Sequence, residues 1–496
     1  MSLTLATDTT LRPSEGGGGQ FENTYARLPE RFYARLAPTP VRNPRLVKFN
    51  SALAEELGLK AQQWESELGT AVLAGNDVPE WATPLAMAYA GHQFGQFVPQ
   101  LGDGRAILLG ELIARDGSRY DLHLKGAGRT PFSRRGDGRA TLGPMLREYI
   151  ISEAMQALGI PTTRSLAVVT TGEPVSRETV LPGAILARVA ASHIRVGTFE
   201  YFAARGDVEA IGILAEYAIH RHYPELNGSP TPYLALLAAV CERQASLIAR
   251  WMQVGFIHGV MNTDNMTISG ETIDYGPCAF MDEYDPETVF SSIDHQGRYA
   301  FDNQPRMAHW NLARLADTLL PFLDDNHDKA IALAEDTIDQ FPAHCERYWQ
   351  AGMRWKLGLV SEQPEDAGLV DALLTLMQEH IADYTNTFRR LCSVAEGDAA
   401  PPGYDAWVTR WQSRLGQEPH TRSAAATLMR EHNPAVIPRN HRVEAAIDAA
   451  VHQGDFTPLD TLLTVSSTPF DLKPEHTTYS APPALSERVQ QTFCGT

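Results

Sequence analysis

Between residues 106 and 189, two pairs of strand-like runs enclose a single amphipathic helix. The runs lie at 106–113, 120–125, 164–170 and 184–189. The first two are joined by an Asp-Gly-Ser turn signal at 116–118. Over 142–158, apolar side chains recur every three or four residues, and Gly159 ends the pattern. This order of elements, strand–strand–helix–strand–strand, predicts a small β-rich domain built around one helix.

From about residue 194 onward, the apolar pattern becomes mostly helical. We expect helices at 233–254, 307–322, 328–341, 367–391 and 443–451, and an earlier one near 50–57. Residues 1–22 include four consecutive glycines, and we expect a mobile lead-in there. Residues 466–496 are rich in Ser, Thr and Pro, which predicts an extended tail. One hydrophobic core rarely exceeds roughly 250–300 residues, so 496 residues predict two or more lobes.

The charge balance of the chain argues against two classes of partner. Asp and Glu number 60 and Lys and Arg 42, a formal net charge of −18, whereas proteins that bind nucleic acids or anionic membranes are usually basic. The longest apolar run, 233–241, has nine residues, and a spanning helix needs about 20. We see no secretory signal, and the five cysteines are widely spaced without a CxxC motif. We therefore expect a cytoplasmic protein with no nucleic-acid and no membrane partner.

A basic, glycine-rich island interrupts this acidic chain. Residues 123–147 contain six Lys or Arg residues and one acidic residue, Asp137. Gly-x-Gly-Arg occurs at 102–105, 126–129 and 136–139. Glycine pairs let backbone N–H groups approach an anion, and Arg adds a planar fork for phosphate oxygens. The island therefore predicts a polyphosphate site, with structural turns and a solvated basic face as the alternatives.

A strand-borne lysine and a helix-borne glutamate add to this prediction. Lys125 ends the second run, and Glu148 lies in the following helix, at the flank of its apolar stripe. In protein kinases a strand Lys grips the nucleotide phosphates and pairs with a Glu of the next helix. The alternative is that Glu148 is an ordinary surface residue.

Two arginines accompany this pair. Arg188 interrupts the otherwise apolar run 184–189, and Arg195 follows seven residues later. An Arg in an apolar strand needs an anionic partner. A glutamate and a nucleotide phosphate are both open as that partner.

The segment 256–276 contains the most specific motif of the chain. It resembles the kinase-like catalytic segment H-[RG]-D-x-x-x-x-N followed by D-[FYW]-G, with His258, Asn265 and Asp274 at the matching positions. An amide oxygen and a carboxylate are ligands that suit Mg²⁺. Val260 stands where the catalytic Asp is expected, and valine cannot accept a proton. Asp264 supplies a carboxylate four residues later, and it is open as a base, a turn residue or a second metal ligand.

Taken together, these motifs resemble the selenoprotein O family, in the form that carries cysteine in place of selenocysteine. The residues that carry the resemblance are 102–105, 125–131, 135–139, 147–149, 258–266, 274–277 and 294–299. The resemblance runs from about residue 24 to the C-terminus. It implies an α+β, protein-kinase-like two-lobed fold, with a small β-rich N-lobe that holds one key helix and a larger helical C-lobe with a C-terminal extension. The implied domains are an N-terminal extension at 1–80, the N-lobe at 81–193, the C-lobe core with a metal site at 194–330, and a helical extension and tail at 331–496.

The resemblance also implies an activity. Members of the family are described as pseudokinases that bind ATP in a flipped orientation and transfer AMP to protein hydroxyl groups of Ser, Thr or Tyr. The implied substrate is ATP, and the implied metal is Mg²⁺, with Mn²⁺ as the alternative. With the γ-phosphate held among the additional arginines, the α-phosphorus would face the acceptor. The usual position of the base, here Val260, would then no longer lie beside the reacting hydroxyl.

The family's site residues carry over by motif. The nucleotide would be bound by Gly102, Gly104, Arg105, Lys125, Asp137, Gly138, Arg188, Arg195 and Asp274. Asn265 and Asp274 would hold the metal, and Asp264 would be the proton acceptor. Glu148 would orient Lys125, and both would belong to the catalytic set.

Other readings of the chain stay open. The same Lys, Asn and Asp residues would serve an ATP-dependent phosphotransferase, and a non-catalytic nucleotide-binding pseudokinase is the third reading. Cys494, third from the end, matches the position of a redox-active residue in the family. No cysteine lies near 290–292 to pair with it, and Cys278 is the nearest candidate. A free tail thiol is therefore the alternative to a redox lock.

Overall fold

The computed structural model describes residues 20–471 and 473–493. Within them, 20–149 and 163–224 form one compact unit, here called the sheet unit, and 150–162 and 225–493 form a second, the helical unit. Cys494 and most of the expected lead-in, including its four glycines, lie outside the described residues.

The sheet unit is built on a nine-stranded antiparallel sheet. Its strands are β1 (Gln20–Phe21), β2 (Tyr33–Arg35), β3 (Arg45–Phe49), β4 (Leu85–Met87), β7 (Ala106–Ile113), β8 (Arg119–Lys125), β9 (Ala140–Thr141), β10 (Arg164–Ser176) and β11 (Val180–Ala190), and a separate hairpin contains β5 (Gly91–Gln93) and β6 (Gln96–Val98). The order across the sheet is β2-β4-β7-β8-β11-β10-β3, with β1 beside β7 and β9 beside β11. Each pairing is antiparallel, so the neighbours β7–β8 and β10–β11 are hairpins.

The four predicted runs are confirmed as the centre of this sheet. The second pair is longer than predicted, because β10 and β11 continue pairing past a register shift between Thr170 and Pro174. The turn at 116–118 is also confirmed, since the Ser118 amide donates to Asp116 Oδ1 at 2.8 Å. Alternate apolar residues of the central strands form one buried cluster, to which Leu122 and Leu124 of β8 belong.

Between residues 20 and 224, six α-helices begin. They are α1 (Ser51–Glu56), α2 (Ala61–Trp64), α3 (Glu67–Leu73), α4 (Leu142–Ala157), α5 (Val196–Ala203) and α6 (Val208–His222). The predicted helix at 142–158 is confirmed as α4, and the one near 50–57 as α1. The Asn50 side chain caps α1 by accepting a hydrogen bond from the Leu53 amide at 3.1 Å.

The helical unit contains the remaining helices and one short strand pair, β12 (Phe256–Ile257) with β13 (Ala279–Phe280). Its helices are α7 (Pro232–Gln253), α8 (Gln304–Leu319), α9 (His327–Ile338), α10 (Phe341–Lys356), α11 (Asp366–Glu379), α12 (Tyr384–Glu396), α13 (Asp405–Leu415), α14 (Arg422–His432), α15 (Asn440–Asp448) and α16 (Thr457–Ser466). The predictions at 233–254, 307–322, 328–341 and 443–451 are confirmed by α7, α8, α9 and α15. Helices α10, α13, α14 and α16 were not predicted.

The prediction of one continuous helix over 367–391 is wrong. The chain breaks between α11 and α12, where Ile381 has a φ of +50°. Asp383 then caps the second helix by accepting a hydrogen bond from the Asn386 amide at 2.8 Å. The break contains neither Gly nor Pro, which is why periodicity alone did not reveal it.

The fold is therefore α+β, with a large antiparallel sheet and many helices. Among the described residues, no helix combines the length and the apolar character that a bilayer crossing requires. The expected tail is mostly irregular, with a short 3-10 turn at Pro474–Tyr479. Near its end, Thr492 forms an isolated parallel bridge with Ser291.

Candidate active site

One face of strand β8 carries polar and charged side chains. Successive side chains of a strand point to opposite faces, so Asp121, His123 and Lys125 share one face while the leucines between them enter the apolar cluster. Arg188 of β11 lies directly opposite His123 in the strand register. The polar face is therefore fixed by backbone pairing.

Lys125, Glu148 and Arg188 form a buried ionic trio on that face. Lys125 Nζ donates to Glu148 Oε2 at 2.6 Å, and Arg188 Nη1 donates to Glu148 Oε1 at 3.2 Å. Glu148 and Arg188 are each 2% exposed. A carboxylate that bridges two cations leaves the trio with a net positive charge, which suits an anionic ligand. The alternative of a surface Glu148 is wrong. Glu148 is one anionic partner of Arg188, and a phosphate stays open as another.

His123 and Asp103 extend the trio toward the first glycine loop. Arg188 Nε donates to His123 Nδ1 at 3.1 Å, and His123 Nε2 lies 3.1 Å from Asp103 Oδ2. An imidazole that accepts at Nδ1 and donates at Nε2 is neutral. Complete burial lowers the pKa of His123, and the charges of Arg188 and Arg195 act in the same direction.

The glycine loops pack closely around this cluster. Gly102 has a φ of +62°, and a Cβ there would lie 2.3 Å from the Phe132 ring. Gly138 has a φ of +72°, and its Cβ would lie 2.2 Å from the backbone of Gly128. No side chain fits at either position. Gly126 and Gly128 are similarly confined, since their Cβ atoms would lie 2.6 Å from the Ala184 carbonyl oxygen and 2.3 Å from Thr39 Oγ1. Gly104 and Gly136 are less confined, with nearest atoms at 3.0 and 3.1 Å.

Backbone hydrogen bonds join the first two loops. The carbonyl oxygen of Arg105 accepts the amides of Gly126 and Ala127, at 2.7 and 3.2 Å. The structural alternative for these glycines is therefore partly correct, since they do form tight turns. Such turns also present backbone N–H groups, so the phosphate prediction stays open.

The remaining predicted nucleotide residues of this unit differ in exposure. Arg195 is buried, occupies the N-cap position before α5, and lies over the Tyr89 ring at 4.6 Å. Asp137 is at the surface, where Arg177 Nη1 donates to it at 2.7 Å. This hydrogen bond is the main reason that the pKa of Asp137 is lowered.

In the helical unit, a buried histidine organises the predicted catalytic segment. His258 Nε2 lies 2.9 Å from the Ile273 carbonyl oxygen, and His258 Nδ1 accepts the Val260 amide at 3.3 Å. Burial lowers the pKa of His258, which fits the neutral tautomer that these contacts require. Val260 contributes its backbone here, because its carbonyl oxygen accepts Asn265 Nδ2 at 2.9 Å.

These contacts orient the predicted metal ligands. Because Asn265 donates through Nδ2, its Oδ1 is the atom that the amide can offer to a cation. Asp274 follows Ile273 directly and adopts a φ of +59°, a conformation rare for residues other than glycine. Asp264 is 8% exposed and lies in the 3-10 turn Thr263–Asn265. Amide and carboxylate oxygens are hard ligands, so the residues present fit Mg²⁺.

The metal site would take few protein ligands. Among the described residues, no group of three or more His, Cys, Asp and Glu side chains is arranged to hold a metal ion. A cation bound by Asn265 and Asp274 would therefore complete its shell with water or with ligand oxygens, as Mg²⁺ does at nucleotide sites.

Cys494 lies outside the described residues, so a disulfide with Cys278 and a free tail thiol both stay open. Cys278 is fully buried. The segment at 290–292 instead contacts the tail through Thr492, whose amide donates to the Phe290 carbonyl oxygen at 2.7 Å. Thr492 Oγ1 also donates to the Pro277 carbonyl oxygen at 2.5 Å.

Sequence reasoning missed Asp103 and His123 as parts of the site. A signal was present, because β8 places a polar residue at every second position between leucines. Such alternation in a strand with a buried polar face indicates side chains that need partners. Their partners come from distant positions in the chain, which a local pattern does not identify.

Comparison with known proteins identifies the family of this chain. The profile of the family described as "Protein adenylyltransferase SelO" matches residues 18–467. A relative from Rhizobium etli, named "Protein nucleotidyltransferase YdiU", is 60% identical over 97% of this chain and 98% of its own length. A relative of the same name from Syntrophotalea carbinolica is 59% identical over 99% and 100%. The chain therefore belongs to the SelO family and is a nucleotidyltransferase.

Proposed function

We propose that this protein is an adenylyltransferase that transfers AMP from ATP to Ser, Thr or Tyr hydroxyl groups of other proteins. The observation that carries the proposal is the ionic trio of Lys125, Glu148 and Arg188. A kinase-like site uses one strand Lys and one helix Glu. Here a second, buried cation, Arg188, shares the same glutamate, which favours more cationic contacts to the phosphates.

The proposal includes the flipped orientation of ATP. Arg188 and Arg195 are each 2% exposed, so a phosphate held by them would be withdrawn from solvent. The terminal phosphate is the most highly charged part of ATP and gains most from such cations. Binding it there would leave the α-phosphorus as the electrophile presented to an acceptor.

In the proposed reaction, Asp264 accepts the proton of the acceptor hydroxyl. The hydroxyl oxygen forms a bond to the α-phosphorus, the bond from that phosphorus to the bridging oxygen breaks, and pyrophosphate leaves. Lys125 and Arg188 stabilise the negative charge that develops on the leaving group. A magnesium ion held by Asn265 and Asp274 would supply further charge neutralisation.

The kinase-like two-lobed arrangement, with the domain boundaries expected from the sequence, belongs to the same proposal. A division into two lobes is supported by the β-rich sheet unit, which contains the first half of helix α4, and by the predominantly helical second unit. The valine at position 260 supports the flipped orientation of ATP, because a carboxylate at 264 would suit a differently placed nucleotide.

The test compares two radioactive labels on ATP. The purified protein is incubated with a lysate and either α-labelled or γ-labelled ATP, with Asp274→Ala as the inactive control. We expect protein labelling from the α-label alone and none from the control. Labelling from the γ-label alone would identify a phosphotransferase, and labelling from neither, despite ATP binding, would identify a non-catalytic nucleotide-binding protein.

A further inference from the structure

We infer that His123 is a positioning residue for phosphate binding: as an uncharged acceptor it fixes the guanidinium of Arg188, and through Asp103 it ties that guanidinium to the Gly102–Arg105 loop. The inference rests on the proposed function, since it concerns how the nucleotide phosphates are held. It adds two residues, His123 and Asp103, to which neither the sequence motifs nor the resemblance gives a role.

The first step is geometric. His123 and Arg188 face each other across the β8–β11 pair, so backbone hydrogen bonds hold the two side chains at adjacent positions. Arg188 Nε reaches His123 Nδ1 at 3.1 Å, while Arg188 Nη1 reaches Glu148 at 3.2 Å. Two acceptors at different edges of a planar guanidinium fix both its position and its plane.

The second step concerns charge. A carboxylate in place of His123 would form a second ion pair and reduce the net charge that Arg188 offers to a phosphate. A neutral imidazole accepts the same hydrogen bond without neutralising the guanidinium. Glu148 is shared between Arg188 and Lys125, so these three side chains carry one excess positive charge. The Asp103 carboxylate contacts the far side of the imidazole, and the charge of Arg195 acts on that carboxylate.

The third step connects Arg188 to the glycine loop. His123 Nε2 lies 3.1 Å from Asp103 Oδ2, and the same oxygen accepts the Met87 amide at 3.0 Å. The carbonyl oxygen of Asp103 accepts Thr130 Oγ1 at 2.7 Å. Asp103 is thus fixed to β4 and to the loop that follows β8, and His123 connects Asp103 to Arg188.

The experiment measures the affinity for ATP relative to that for adenosine, which lacks phosphates. Titration calorimetry is carried out on the full chain with His123→Leu and with His123→Asn, two side chains of similar shape. Asn can place its Oδ1 near the position of Nδ1 and keep an acceptor for Arg188, whereas Leu cannot. His222→Leu is the matched control, because His222 is another buried histidine of the sheet unit whose Nε2 lies 2.7 Å from Ser192 Oγ.

We expect His123→Leu to weaken ATP binding about tenfold or more, as for loss of a hydrogen bond to a charged group. Adenosine affinity should change less than about twofold, and His123→Asn should recover most of the loss. His222→Leu should leave the ATP-to-adenosine ratio at the wild-type value. An unchanged ratio in His123→Leu, or equal losses in the Leu and Asn variants, would overturn the inference.

A double-mutant cycle separates positioning from general destabilisation. If His123 acts through Arg188, then His123→Leu causes no further loss of ATP affinity in an Arg188→Met background. Additive losses would contradict the inference. Should His123→Leu not fold, the same cycle with His123→Ala decides the question, with the melting temperature of the nucleotide-free protein as the check on folding.

The outcomes keep this inference separate from the proposed function. A wild-type protein that binds ATP no better than adenosine would refute the proposed function. A wild-type protein that favours ATP and transfers AMP, combined with a His123→Leu variant that does the same, would refute the positioning role alone.

Discussion

His258 Nε2 and the carbonyl oxygen of Ile273 lie 2.9 Å apart in the core of the helical unit. This contact fixes the backbone immediately before Asp274. The other ring nitrogen of His258 accepts the amide of Val260, whose carbonyl oxygen in turn holds the side chain of Asn265. One buried imidazole therefore supports the segments that carry both predicted metal ligands.

The first prediction concerns those ligands. Asn265→Ala should weaken Mg²⁺-dependent AMP transfer by about tenfold or more, because the amide oxygen is lost, whereas Asn265→Asp should retain metal-dependent activity because it keeps a hard oxygen. Transfer rates are measured over a Mg²⁺ titration, with chelator-treated protein as the zero point. Full activity of the Ala variant at every Mg²⁺ concentration would show that Asn265 is not a ligand.

The second prediction concerns the lysine of the ionic trio. Lys125→Ala should reduce kcat/KM for ATP by about a hundredfold or more, because a charge that stabilises the leaving group is removed. Glu148→Gln should have a smaller effect on ATP affinity than Lys125→Ala, since both cations remain. Initial rates with α-labelled ATP provide the measurement. A Lys125→Ala enzyme with wild-type kcat/KM would exclude a phosphate contact.

The third prediction separates the roles open to Asp264. As the proton acceptor, Asp264 acts on the hydroxyl group and not on ATP binding. Asp264→Asn should therefore lower kcat by about a hundredfold while the dissociation constant for ATP changes less than about threefold. Calorimetry with ATP and Mg²⁺ is carried out beside the rate assay. Loss of Mg²⁺-dependent ATP binding would instead identify Asp264 as a metal ligand.

The fourth prediction is a pH dependence of stability. Burial lowers the pKa of His123 and of His193, which stacks on it at 4.2 Å. Asp103, Asp121, Arg188 and Arg195 surround the two rings. Below the unfolded pKa of about 6.5 the unfolded chain binds more protons than the folded one, so stability is full above that pH and falls on acidification.

The measurement for this prediction is the melting temperature of the nucleotide-free protein between pH 5 and 8. The fall below pH 6.5 should be shallower in His193→Gln than in the wild type. An equal slope in both proteins would show that His193 does not contribute.

The fifth prediction tests the contact of the C-terminal tail. Thr492→Val removes a buried hydroxyl that donates to the Pro277 carbonyl oxygen, at a cost of about 1 kcal/mol, which corresponds to about 2 °C in melting temperature. Thr492→Ser keeps the hydroxyl and should remain within about 1 °C of the wild type. Identical melting temperatures for Val and wild type would mean that the contact does not contribute in solution.

The sequence was most informative where short-range patterns determine structure. The strand pairs and α4 followed from alternation and from three- and four-residue spacing, and Lys125 and Glu148 were correctly identified as partners. The break at Ile381 was missed because a positive φ there leaves no compositional mark.

The shared use of Glu148 could not be predicted from the sequence, because it depends on sheet register. Residues 125, 148 and 188 lie on a strand, a helix and a second strand, and only the β8–β11 pairing places Lys125 and Arg188 on the same face. The same reason explains why Asp103 and His123 were overlooked.

Because polar and apolar side chains alternate along β8, the ligand-binding face forms only when this strand pairs in the correct register. A shift of one residue in the register of β8 would place Lys125 and His123 in the apolar cluster. It would place Leu122 and Leu124 on the charged face. Such a misaligned chain would be both unstable and unable to hold a nucleotide. Selection for a well-packed apolar core therefore also preserves the strand register that places Lys125 and His123 on the ligand-binding face.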